Sequence, residues 1–253
     1  IREKADERLV QHLENAKNRK AAQPDLQIVV AGCWAESQRD AIFAQFPWVD
    51  AAVGPGRIGS LRDVMSGAVD AIDGITRIRF MSPHPKDMRG DVIEAMAESP
   101  AVCNQLHLPL QSGSSRILKR MRRTYDADRF LDLVGRLRAA MPDISLTTDV
   151  IVGFPGETEE DFAETMRVYD AVGFDHAFTF LYSPRNGTEA AGFDDQVDDA
   201  VKHERLERLV ELVQDHAARR NRALIGTVQE VLSEGPSRTD PDVFRGKTRG
   251  GKT

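Results

Sequence analysis

The stretch "DVIVGFPGETEEDF", residues 149–162, decides how the fold is read. Val150, Ile151 and Val152 have the character of a strand end. Gly153, Phe154, Pro155 and Gly156 then make a turn, because glycine and proline interrupt regular backbone for complementary reasons. Thr158 and Asp161 carry the spacing of a capping box, which starts a helix whose first turn is acidic. A strand that passes through a short turn into a capped helix is half of a βαβ unit and predicts a parallel sheet.

Outward from this stretch the same rhythm recurs. Strand-like runs "ITRIRF" (75–80), "QLHLPLQ" (105–111), "ISLTTDVIVG" (144–153) and "HAFTFLY" (176–182) alternate with helical stretches near 89–98, 115–140, 158–172 and 200–222. Within the second of these helices Phe130, Leu133, Val134 and Leu137 share a face, and Leu206, Leu209, Val210 and Val213 repeat the pattern in the last. Four such units make half of an eightfold barrel or part of an open sheet. Earlier in the chain, residues 1–20 suit a helix, "DLQIVVAG" (25–32) and "VDAAVG" (49–54) read as short strands, and 36–46 reads as a helix between them. Beyond about residue 226 the pattern becomes β-rich. The expected fold class is therefore α/β: a small amino-terminal α/β domain over 1–65, a βα region over 66–222 that is a partial (βα) barrel or part of an open sheet, and the start of a β-rich domain over 223–253.

The bulk composition narrows the function. With 253 residues, 41% hydrophobic and 29% charged, the chain has an ordinary globular composition. No apolar run approaches the ~20 residues that span a bilayer, and no signal-peptide pattern opens it. A cytoplasmic protein without a membrane partner is expected. The net charge of −6 argues against indiscriminate coating of nucleic acid, yet leaves room for a local basic site. Two cysteines, Cys33 and Cys103, make no disulfide framework and fit a reducing compartment. They also limit metal chemistry, because an iron–sulfur cluster takes about four thiolates, or about three with one position open. Ile1 at the start and "FRGKTRGGKT" at the end predict a chain shortened at both ends.

In parallel α/β folds the working residues sit at the C-terminal ends of strands. Here the strand ends run into "MSPHPKD" (81–87), "QSGSS" (111–115), "GFPGET" (153–158) and "SPRNGT" (183–188). Gln111, Ser112, Ser114, Glu157, Ser183 and Arg185 are expected at one rim. Gly113, Gly153 and Gly156 would let backbone approach a ligand closely. A small ligand with carboxylate, amine and hydroxyl groups would suit that rim. The competing reading is that strands simply have to turn, and one Gly-Pro loop means little. Four in succession favour a ligand rim. His107, inside an apolar run, reads as a core or rim histidine with a satisfied hydrogen bond, and His84 as a loop candidate. Cys103 reads as a buried structural thiol. Cys33 follows a glycine at a strand end, where a thiolate could face a cofactor, although a structural role is the more economical reading.

The segments "RFMSPHPKD", "HLPLQSGSSRILKRMRRTY", "TTDVIVGFPGETEEDF" and "AFTFLYSPRNGT" together resemble the radical S-adenosylmethionine methylthiotransferases. The resemblance covers nearly the whole chain: "GCWAESQRD" is similar to the family's amino-terminal domain, and "VLSEGPSRTDP" to the start of its TRAM domain, a small RNA-binding β-barrel. "SPHPKD" favours the branch that modifies N6-isopentenyl-adenosine in tRNA. The resemblance implies methylthiolation at C2 of that adenosine, beside the anticodon, with [4Fe–4S] clusters and S-adenosylmethionine as cofactors. It implies the tRNA anticodon stem-loop and an electron donor as partners. It places Cys33 among the auxiliary-cluster ligands. It places Gln111, Ser112, Gly113, Gly153, Phe154, Gly156 and Glu157 near S-adenosylmethionine, and it suggests RNA contacts at Arg245, Lys247, Arg249 and Lys252. The family's CxxxCxxC motif is absent. In family order it falls near Ser66 and Gly67, together with the first strand–helix units of the barrel. A methylthiotransferase chain unable to complete its clusters is the leading expectation. A non-catalytic remnant that binds tRNA or a partner is the alternative. An unrelated barrel enzyme using His84, His107 or Glu157 as acid–base groups is a third reading, which the long motif matches oppose. Loss of the early strands predicts an open edge before "ITRIRF", hence marginal solubility or dimerisation.

Overall fold

The computed structural model describes residues 10, 13, 14, 16–18, 20, 21, 28–31, 41–49, 51–53, 77–185, 187–237 and 239–253. Cys33 and the stretch around Ser66 and Gly67 lie outside the described residues. The chain divides into two compact units, Ile1–Val69 and Asp70–Thr253.

In the first unit, strands β1 (Val29–Ala31) and β2 (Ala51–Val53) pair in parallel. Helix α1 (Ala41–Gln45) lies between them in sequence, as a parallel pair requires a crossover. Leu13, Ile28, Val30, Ile42, Phe46 and Val49 form the apolar core. Trp48 closes it, edge-on to Phe46 at 5.6 Å, with its indole N–H donating to the Leu13 carbonyl at 2.9 Å.

The second unit is built on β3 (Ile78–Met81), β4 (Val102–His107), β5 (Ser145–Val152) and β6 (His176–Leu181). These form one parallel sheet in sequence order. Helix α2 (Gly90–Glu98) follows β3, α3 (Ser115–Arg120) and α4 (Ala127–Ala140) follow β4, α5 (Glu159–Val172) follows β5, and α6 (Asp199–Arg222) follows β6. Alternation along β5 explains its two faces: Leu146, Thr148, Val150 and Val152 are buried, whereas Thr147, Asp149 and Ile151 are only half-buried. Phe130, Leu133, Val134 and Leu137 of α4 are buried as their spacing predicts. Among the described residues β3 has no strand partner other than β4.

Three local expectations shift. The strand expected over 105–111 runs instead from Val102 to His107. Pro109 has no N–H for a ladder, and Gln111 rejoins β5 by one bridge to Val150. The helix expected over 115–140 is two helices, because Arg122 turns left-handed (φ 55°) and Asp126 caps a new start, accepting from the Arg129 N–H at 2.9 Å. The buried stripe of α6 holds Leu209 and Val213 but also Lys202, Arg205 and His216, while Leu206 and Val210 are only partly covered.

Strands β7 (Val231–Pro236) and β8 (Phe244–Thr248) form an antiparallel hairpin. It is tied to the N-terminal ends of the parallel strands. Arg77 donates to the Glu230 carboxylate at 2.7 Å. Arg249 donates to the carbonyls of Pro100 at 2.7 Å and Val102 at 2.6 Å. Lys252 Nζ lies 3.4 Å from Asp175 Oδ1.

Candidate functional site

The strand-end loops meet at the opposite, C-terminal end of the sheet. Gln111 is held in the left-handed region (φ 66°). Its N–H donates to the Asp149 carbonyl at 2.8 Å and its own carbonyl accepts from Ile151 at 2.9 Å. A non-glycine residue in this region is strained, and such strain persists where the surroundings fix it. Ser112 and Ser114 are fully buried. The Ser112 hydroxyl lies 3.3 Å from that of Thr165, and the Gly113 N–H donates to the same Thr165 oxygen at 3.0 Å. Ser114 caps α3 and donates to Asp161 at 2.6 Å. This loop is therefore fastened to α5.

The loop after β5 is fastened just as firmly. Glu157 Oε1 accepts from the Gly153 N–H at 2.9 Å and from Arg205 at 3.0 Å. Burial pushes the Glu157 carboxyl up to about 6, against the opposing pull of the Gly153 hydrogen bond and Arg205. Thr158 and Asp161 form the predicted capping box. Burial alone would raise the Asp161 carboxyl, but hydrogen bonds from Arg116, Ser114 and Thr158 overcome it and hold it well below the usual carboxylate range. Phe154 is buried edge-on to Tyr182 at 5.2 Å. The close approaches at the glycines are to the chain itself. A Cβ on Gly113 would meet the Thr165 backbone at 2.5 Å, one on Gly153 would sit on the Lys202 side chain, and one on Gly156 would meet Asp195 and Arg120. Gly113 thus lets α5 pack closely and Gly153 lets α6 do so, while Gly156 makes room for Asp195 and Arg120.

The sheet face away from the helices carries a second group that the sequence did not assemble. Registered pairs place Gln105, His107, Thr147, Asp149, His176, Phe178 and Phe180 on one side. His107 Nδ1 lies 3.0 Å from Thr147 Oγ1 and Nε2 lies 3.3 Å from Asp149 Oδ2. Its ring stands 5.8 Å from that of Phe178, which is 51% exposed. The period-two alternation of "SLTTDVIV" was the available signal for Thr147 and Asp149. No local signal pointed to their meeting His107. His84 caps a short turn, accepting from the Lys86 N–H at 3.2 Å, and faces Tyr125 at 5.5 Å. Burial and the neighbouring Arg123 lower its pKa. Ser183 and Arg185 are exposed.

The four basic residues singled out near the carboxyl end lie at the other end of the strands. Arg249 and Lys252 are engaged with the sheet as described above, Arg245 Nε lies 3.6 Å from Glu234, and the Lys247 carbonyl accepts from Arg77 at 2.5 Å. β5 alone separates the two ends by eight residues, or about 26 Å.

Comparison with known proteins agrees with this architecture. Residues 50–168 match the radical SAM superfamily, and residues 1–54 match the uncharacterized protein family UPF0004. Over 184 residues the chain is 53% identical to the tRNA-2-methylthio-N(6)-dimethylallyladenosine synthase of Clostridium botulinum (strain Okra / Type B1), a match covering 73% of this chain and 41% of that protein. The synthase of that name from Clostridium perfringens (strain SM101 / Type A) is 50% identical over the same shares. The solved coproporphyrinogen III oxidase of Escherichia coli, described as a radical SAM enzyme, superposes with a TM-score of 0.53 at 17% identity, covering 76% of this chain and 54% of that one. The fold is thus a partial radical SAM barrel. The chain is a homologue of the tRNA-2-methylthio-N(6)-dimethylallyladenosine synthases, and its match spans about two-fifths of their length.

Radical SAM chemistry implies a [4Fe–4S] cluster, and the donor set can be tested against it. The sequence holds two cysteines, where a cluster needs about four thiolates, or about three with one position open. Cys103 is fully buried in β4. Among the described residues no group of three or more His, Cys, Asp or Glu side chains is placed to hold a metal ion. These 253 residues do not fit the cluster.

Proposed function

We propose that this chain belongs to the machinery that methylthiolates C2 of N6-isopentenyl-adenosine in tRNA, as the part that shapes the mouth of the barrel and meets the RNA. The observation that carries the reading is the 53% identity over 184 residues to a synthase of that name. Gln111, Ser112, Gly113, Gly153, Phe154, Gly156 and Glu157 frame the S-adenosylmethionine mouth in this reading. Ser112 and Glu157 act by holding their loops rather than by contact, since both are spent on internal hydrogen bonds. The exposed Phe178 ring and the half-buried Asp149, backed by the buried His107, offer an aromatic surface and a polar edge to a nucleobase. Reductive cleavage of S-adenosylmethionine is not assigned to these residues, because the cysteines for it are not among them. Cys33 is assigned to the auxiliary cluster only together with thiolates from outside this sequence. The tRNA anticodon stem-loop is the proposed partner, an electron donor serves the complete enzyme, and the cytoplasm is the proposed compartment. Among the described residues no helix is long and apolar enough to cross a membrane.

Fluorescence anisotropy with two synthetic anticodon stem-loops tests the reading. The loop carrying N6-isopentenyl-adenosine is expected to bind at least several-fold more tightly than its unmodified twin. Equal affinity for the two, or no RNA binding, would remove the support for a site built around the modified base.

A further inference from the structure

Residues 115–124, "SRILKRMRRT", hold five cations and no acid in a chain of net charge −6. Such a run is ordinarily a solvated helix face. Here it does not stay on one helix. Helix α3 ends at Arg120, and the chain reverses through Met121 and a left-handed Arg122 (φ 55°). The Arg122 N–H donates to Lys119 at 3.0 Å and the Arg123 N–H to Leu118 at 2.9 Å, which fixes the reversal. The reversal carries the arginines into a cleft of about 340 Å³ whose lining includes Arg120, Arg122, Arg123, Ile151, Phe154 and Phe193, with Glu189 as its one acid. Ile151 and Phe154 belong to the end of β5 and the loop after it, so the cleft opens at the mouth and not at the hairpin.

The charges in this cluster are unevenly matched. Arg116 pairs with Asp161, Arg120 with Asp195 at 2.8 Å, and Arg122 with Glu189. Lys119 and Arg123 have no carboxylate partner among the described residues, which leaves two positive charges unpaired. The Arg122 side chain is 78% exposed despite its ion pair, and such exposed pairs are weak and exchange readily. The Arg120 guanidinium stacks over the Phe193 ring at 4.8 Å. Cations beside aromatic faces, at the end of the sheet where a nucleobase would enter, suit a sugar–phosphate backbone.

We infer that the cluster Lys119, Arg120, Arg122 and Arg123 is an RNA-backbone site at the mouth, gripping phosphates of the strand whose base enters it. This rests on the tRNA reading above and adds the surface that reading lacked, since the basic residues of the hairpin lie at the far end of the sheet.

The test uses the full chain and the isopentenylated stem-loop, with affinity measured across a salt series. Lys119→Glu/Arg123→Glu is compared with Arg245→Glu/Lys247→Glu, and circular dichroism melts confirm that each variant folds. The neutral pair Lys119→Gln/Arg123→Gln serves if charge reversal prevents folding. Weakening of at least tenfold by the mouth variant, with the slope of log affinity against log salt falling by about two, supports the site. Wild-type binding with an unchanged mouth variant overturns it and leaves the tRNA reading standing. No RNA binding by the wild type overturns both.

Discussion

The Arg205 guanidinium lies 3.0 Å from Glu157 Oε1, and the two side chains are 6% and 1% exposed. This pair joins the last helix of the sheet unit to the loop after β5, across 48 residues of sequence. Arg205 also reaches the Glu157 carbonyl at 3.2 Å and Glu159 at 3.2 Å, so one side chain fixes the loop and the start of α5 together.

Removing one partner strands a buried charge. Arg205→Ala is expected to cost about 3–5 kcal/mol in urea unfolding. The double variant Glu157→Gln/Arg205→Met should cost less than the sum of its single changes, because no uncompensated ion remains. A loss below about 1 kcal/mol for the single variant would show that the pair does not hold the loop.

Two carboxylates of this network push stability in opposite directions with pH. Glu157 is raised from 4.5 to about 6 by burial, so the folded state holds its proton more tightly than the unfolded state. Its contribution is full below pH 4.5 and is lost as pH rises through 6, by roughly 2 kcal/mol at most. Asp161 is lowered from 3.8 by its hydrogen bonds, so its contribution is present above that value and is lost as pH falls below it. Urea midpoints collected from pH 3 to pH 8 should show Glu157→Gln flattening the decline between 4.5 and 6, and Asp161→Asn flattening the acid limb. A Glu157→Gln profile that retains the decline would assign it elsewhere.

Gly113→Ala places a Cβ against the backbone of Thr165 and Glu164, which cannot yield as a flexible side chain can. A loss of about 1–3 kcal/mol is expected from overpacking. Gly90→Ala, at the first residue of α2 with open space around it, should be neutral or stabilising by a few tenths of a kcal/mol. Thermal melts of the two variants check the contrast, and equal melting temperatures would contradict it.

Much of this arrangement was legible in the sequence, because it is carried by local signals. The strand–turn–capped-helix pattern at 149–162 yielded β5, its turn and α5 nearly to the residue, and apolar spacing placed the buried face of α4. What the sequence did not disclose is non-local. Lys202 and Arg205 look like a solvated helix surface until α6 is packed under the loop after β5. His107, Thr147 and Asp149 meet only through the register of β4 with β5. Gln111 and Arg122 adopt left-handed backbone that no local rule assigns to those residue types. The close packing of Gly113 against α5 and of Gly153 against Lys202 of α6 is likewise non-local, since the sequence gives no sign of which chain segment approaches each glycine.

The hairpin offers a further check on packing. Arg249→Ala removes charge-assisted hydrogen bonds to the Pro100 and Val102 carbonyls, each worth about 1.5–3 kcal/mol in favourable settings. The hairpin should loosen from the sheet, giving faster amide exchange over residues 231–248 while β5 stays protected. Uniform exchange across both would mean that the hairpin and the sheet unfold as one.

The most direct test of the central claim, a radical SAM scaffold whose own thiolates cannot complete a cluster, is iron and acid-labile sulfide per chain after anaerobic reconstitution and gel filtration. The expected result is far below the ~4 irons of one cluster, with no cleavage of added S-adenosylmethionine. About four irons per chain, retained through the column, would contradict it.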